Sequence, residues 1–141
     1  MPRSEMRMSR IAWAAALSLL GLLGSACGGG PCGDAEDRLV PLSELPCSQT
    51  SAEGAWESHP FPPVSDAQCF WLEFRGCSQY RVEHPLGRAP LQVLGYTSFD
   101  QDGSFSTPAS GNSFVVQEVS ESTVTIRNAQ SQFFYLRLTL D

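Results

Sequence analysis

From Gln132 to Leu140 the chain alternates with a period of two, with Phe134, Leu136, Leu138 and Leu140 all falling on one face. Only an extended strand places every second side chain on the same side, so this segment predicts a β-strand with one face in a core. The pattern recurs upstream. In Cys69–Arg75, Phe70, Leu72 and Phe74 face one way and Trp71, Glu73 and Arg75 the other. Gln79–Glu83, Leu91–Phe99, Ser113–Val119 and Thr123–Arg127 read as further strands, the last with Val124 and Ile126 inward. Gly95 marks a bulge or bend in its strand. Turn chemistry separates the strands at Ser120–Ser122 and Asn128–Ser131. Asp102-Gly103 is another turn, and a Gln101–Gly103 loop would set Phe99 opposite Phe105 as a cross-strand aromatic pair. Residues 65–141 therefore predict an antiparallel β-domain, a small all-β barrel or sandwich whose C-terminal strand pairs centrally or closes the barrel.

Residues 27–64 differ. Pro41, Pro46, Pro60, Pro62 and Pro63 break any long element, and apolar residues are sparse. The segment reads as Gly/Pro-rich tether and loop. A short helix is expected around Asp34–Leu39, where Asp34 could cap and Glu36 and Asp37 suit the N-terminal end of the helix dipole. One short strand is expected near Trp56.

The first 26 residues form a separate unit. Arg3, Arg7 and Arg10 against Glu5 give a positive start, and Ile11–Leu23 is uncharged and almost wholly apolar. As a helix that run would span about 20 Å, too short for the ~30 Å hydrocarbon core of a bilayer. Small residues Gly24, Ser25 and Ala26 follow, so residues 1–26 read as a signal peptide. Leu23-Gly24-Ser25-Ala26-Cys27 resembles the lipobox of bacterial lipoprotein precursors. Ser25, Ala26 and Cys27 match the pattern, whereas Gly24 stands where that family prefers Leu. The resemblance implies that Cys27 carries a lipid, that Gly28–Pro31 is a tether, and that the protein is anchored to a membrane of the cell envelope, the outer membrane first among them. The alternative is cleavage after Ala26 and a secreted or periplasmic protein.

Cysteine parity fits acylation. The chain has 5 cysteines, and removing Cys27 leaves Cys32, Cys47, Cys69 and Cys77 to close two disulfides in an oxidising space. Four cysteines permit three connectivities. The sequence-local pairs, Cys32–Cys47 and Cys69–Cys77, are expected here, making the N-terminal segment an irregular, disulfide-stapled one.

Lysine is absent, and every acid except Glu5 lies after Cys27, so the exported part is strongly acidic. Such a surface repels phosphate, which argues against nucleic acid and against membrane binding through a basic patch. Lysine-based nucleophile and Schiff-base sites are excluded outright. The 2 histidines, His59 and His84, both precede proline and read as solvated loop residues outside any metal-ligand spacing. Ser98–Phe105 overlays part of a calcium loop, but Ala109 stands where a closing Glu is needed, so a hairpin turn is expected. No catalytic residue, metal site or cofactor fingerprint emerges.

Gly54-Ala55-Trp56, Phe99-Asp100-Gln101-Asp102-Gly103-Ser104-Phe105 and the apolar closing strand Phe133–Leu140 together resemble small bacterial lipocalin-like domains. That resemblance implies a barrel plugged at one end by Trp56 and an interior for a small apolar ligand. The leading expectation is a lipid-anchored envelope protein acting by binding or structural association with an envelope protein partner. A lipocalin-like carrier is the alternative, and a small envelope hydrolase using unassigned carboxylates is the third reading.

Overall fold

The computed structural model describes residues 32–141, which fold into ten strands and three single-turn 3-10 segments. The segment expected to be a signal peptide (residues 1–26), Cys27 and the expected tether at 28–31 lie outside the described residues. In chain order the strands are β1 (Glu36–Val40), β2 (Gln49–Thr50), β3 (Trp56–Glu57), β4 (Leu72–Phe74) and β5 (Ser78–Glu83). They continue with β6 (Val93–Ser98), β7 (Thr107–Pro108), β8 (Val115–Val119), β9 (Thr123–Asn128) and β10 (Phe134–Leu140). The fold is all-β. The strands form two sheets that do not close into a barrel, one ordered β1-β5-β9-β8 and the other β2-β3-β10-β6-β7, with β4 also on β10.

Strand β10 is central, as its pattern predicts. It pairs with β6 along one edge from Tyr135 to Leu140, and its other edge is shared by β4 at Phe134–Leu136 and β3 at Thr139–Leu140. Leu136, Leu138 and Leu140 are fully buried and meet Val40, Phe74, Tyr80, Val82, Val124 and Ile126 in one core. Trp56 is in this same core, 1% exposed, rather than plugging a barrel end.

The N-terminal segment is more ordered than its composition suggests. Three of the ten strands come from it, where one was expected. Residues 36–40 form a strand and not a helix. Strand β1 pairs in parallel with β5, Glu36 opposite Ser78 through Val40 opposite Val82. The isolated residues favour a capped helical turn, but β5 offers an open edge of hydrogen-bonding groups, and Val40 gains full burial there.

The disulfides link Cys32 to Cys77 and Cys47 to Cys69, with Cα separations of 5.0 and 5.3 Å. The sequence-local pairing is therefore incorrect. Cys32 precedes β1 and Cys77 precedes β5, so the first bridge clamps the shared start of the parallel pair. Cys77 takes a left-handed backbone (φ 57°) at the turn that leads into β5. Two such bridges mark an oxidising, extracytoplasmic compartment. Among the described residues no helix is long and apolar enough to cross a membrane.

Gly95 keeps regular register opposite Leu138 and is neither bulge nor bend. A Cβ there would lie 2.6 Å from the Phe114 ring, so glycine is needed to let the ring pack flat on the sheet.

Candidate binding surface

The outward face of β10 carries Arg137, whose side chain is only 5% exposed. The segment that continues from β3 covers it. Arg137 Nη2 pairs with Glu57 Oε1 at 2.8 Å, and its Nε donates to the His59 carbonyl at 3.0 Å. Its guanidinium lies 5.6 Å from the ring centres of both Phe61 and Tyr96. A buried guanidinium is tolerable only when its donors and charge are met this completely. The result fixes residues 57–61 to the sheet. Ser58 adds to this, its hydroxyl accepting the Leu138 N–H at 2.8 Å and lying 2.8 Å from His59 Nδ1.

His59 and His84 are thus buried, 4% and 3% exposed, and are not the solvated loop residues expected. The proline rule placed their backbone, but burial is decided by what packs over them. Desolvation, aided by the nearby Arg137 charge, pushes His59 down to about 4. Burial also lowers His84, and the nearby Ser120 and Thr123 backbone offsets only part of that effect. Both groups bind protons more readily unfolded than folded. Stability is complete above the unfolded value of 6.5 and is lost as pH falls toward 4, by about 3 kcal/mol from His59 alone. Urea unfolding at about pH 7.5 and about pH 4 should show this loss, and His59→Gln should remove most of its share; equal losses in the two proteins would refute it.

Next to the Arg137 clamp lies the connection from β6 to β7. It is longer than the predicted hairpin, running from Phe99 to Ser106, because β7 pairs Thr107 with Thr97 and Pro108 with Tyr96. Polar contacts close it locally. Asp102 accepts the Ser104 N–H at 2.9 Å and the Ser104 hydroxyl at 2.8 Å, which hold its carboxyl below the usual range. The Ser98 hydroxyl donates to the Ser104 carbonyl at 2.6 Å. Phe99 therefore does not face Phe105. It packs tilted against Phe134, ring centres 5.4 Å apart, while Phe105 takes a left-handed φ of 55° and stands 92% exposed.

The two loops dock on each other. Val64 N–H donates to the Asp102 carbonyl at 2.8 Å, and Trp71 N–H donates to the Gln101 carbonyl at 2.9 Å. Gly103 (φ 79°) sits against Trp71 and Pro62, and a Cβ would lie 2.5 Å from the indole. Trp71, on the face opposite Phe70, Leu72 and Phe74 in the alternation, is buried beneath these loops. Between the same loops opens a shallow depression of about 420 Å³, lined by Val64, Phe70, Asp100, Asp102 and Phe105 among others. Phe61 (79% exposed), Phe99 (71%) and Phe105 are exposed large apolar residues of these two loops, and Pro62, next to Phe61, lies against Gly103.

Of the residues singled out from sequence, the four disulfide cysteines meet in pairs, though not the expected pairs. Asp100 and Asp102 share one loop with the exposed phenylalanines. What the sequence reading missed is Arg137 with Glu57, whose only signal was a charged residue inside the most apolar strand. The exposure of Phe61 was missed too, although its place within His59–Pro63 puts a large apolar residue in a proline-rich turn. Comparison with protein-family models, with curated proteins and with solved structures gives no match.

Proposed function

We propose that this is a lipid-anchored protein of the cell envelope that works by binding, not catalysis, and that the Phe61–Phe105 surface is where it binds. The observation carrying this reading is Phe105. A bulky residue in the left-handed region costs about 1–2 kcal/mol, and this one spends that conformation on holding a ring 92% in solvent. The surrounding chemistry is apolar with two acids, Asp100 and Asp102, and it lies in a strongly acidic domain. It suits an envelope protein segment carrying arginine or lysine beside apolar side chains. The disulfides support an exported protein, and the Leu23–Cys27 pattern supports anchoring through Cys27.

Phe105→Gly should leave stability unchanged or raise it by up to about 1 kcal/mol, because glycine relieves the φ strain. A photoreactive benzoylphenylalanine at position 105 should cross-link to a discrete partner in intact cells, and one at the exposed Glu121 should not. Intact mass should show Cys27 as an acylated N-terminus. A clear destabilisation by Phe105→Gly, no adduct at 105, or an unmodified Cys27 would each remove the corresponding part of the proposal.

A further inference from the structure

A second site of different chemistry lies where the two sheets meet. A cavity of about 290 Å³ opens between β1, β4 and β5, lined by Glu36, Arg38, Glu73, Arg75, Ser78 and Tyr80. Its floor is rigid. Tyr80 is buried, packs edge-on to Phe74 at 5.3 Å, and its hydroxyl accepts the Arg75 backbone N–H at 3.3 Å. The Cys32–Cys77 bridge ends one residue from Ser78, so the neighbouring strand starts are covalently tied.

The charges in this cavity have unused capacity. Arg38 is engaged, pairing with Glu44 at 2.6 Å and lying 5.4 Å over the Tyr80 ring. Arg75 is only loosely paired: its guanidinium lies 3.7 Å from Glu73, an ion pair beyond hydrogen-bond distance, and both side chains are more than half exposed. Glu36 makes no ion pair among the described residues. Two arginines thus share a small polar cleft with two carboxylates in a protein that is otherwise strongly acidic. A guanidinium fork accepts a carboxylate in two hydrogen bonds, and a carboxylate accepts a primary ammonium. The volume is at the lower end for a small-molecule site.

We infer that this seam cavity binds a small zwitterion bearing a carboxylate and a primary ammonium, of the amino-acid or short-peptide class. Arg75, with Arg38 beside it, takes the carboxylate, and Glu36 and Glu73 take the ammonium. The site is separate from the Phe61–Phe105 surface and stands on different observations.

The test is an NMR titration of the whole exported domain with free glutamate, free lysine and the dipeptide Ala-Ala, against acetate and methylammonium as half-ligands. At least one zwitterion should shift the amides of Glu36, Arg38, Glu73, Arg75 and Ser78, and should bind about tenfold more tightly than either half-ligand. Arg75→Gln should weaken that binding about tenfold with an almost unchanged melting temperature, since the side chain is 60% exposed and its 3.7 Å pair with Glu73 is a solvent-exposed one. Glu36→Gln should weaken the zwitterion but not acetate. No shifts at these residues with any of the three zwitterions at about 10 mM, acetate binding as well as the zwitterions, or an Arg75→Gln variant that folds and binds normally would overturn the inference.

Discussion

Replacing Cys32 and Cys77 together by serine is expected to lower the unfolding free energy by about 4 kcal/mol, and replacing Cys47 and Cys69 by about 3 kcal/mol. The bridges close loops with sequence separations of 45 and 22, and in the chain-entropy account the longer loop loses more freedom when unfolded. The first bridge should matter beyond that entropy. It holds the start of β1 beside the start of β5, and a parallel edge strand has no hairpin to keep its register. A domain of this size is stabilised by only about 5–15 kcal/mol in total, so full reduction should leave it unfolded or nearly so at body temperature. Urea unfolding of each double variant reads the loss. Peptide mapping without reduction should recover Cys32 joined to Cys77; a fragment joining Cys69 to Cys77 would sink the assignment.

Arg137→Ala is expected to cost about 3 kcal/mol, a large effect for a residue that lies outside the main core. The substitution removes the 2.8 Å pair with Glu57, the hydrogen bond to the His59 carbonyl and the contacts with Phe61 and Tyr96. It leaves Glu57, 28% exposed, without its counter-charge. Arg137→Met, which keeps much of the stem volume, should cost less, and adding Glu57→Gln to it should recover part of the loss because no unpaired charge then remains. Since the clamp holds residues 57–61, Arg137→Ala should also loosen Phe61, seen as faster amide exchange in that segment. A loss below about 1 kcal/mol would mean that the guanidinium is dispensable and that the covering segment is held by Ser58 and the Pro60–Pro63 turn alone.

Both predictions turn on features that cross between distant parts of the chain, and these are the ones local patterning could not supply. The strands were legible because alternation is a local property: β5, β9 and β10 lie where Gln79–Glu83, Thr123–Arg127 and Gln132–Leu140 predict them. The central place of β10 was legible too, since a strand of four large apolar residues on one face must be covered. Local chemistry misled at 34–39, where a capped helix was expected, at Gly95, and at 99–105. Asp102 and Ser98 make their own bonds to Ser104, and those bonds hold a longer loop that keeps Phe105 away from Phe99.

The residues by themselves determined that this chain is all-β, that its late strands are separated by short turns, and that four cysteines can form two bridges in an exported domain. Only the tertiary structure decided which cysteines meet, because pairing requires Cα atoms within about 7 Å and that depends on β1 lying parallel to β5. It also decided that Arg137, His59 and His84 are buried and that Phe61 and Phe105 are not. Periodicity states which side of a strand a residue faces; what covers that side is settled by segments arriving from elsewhere in the chain.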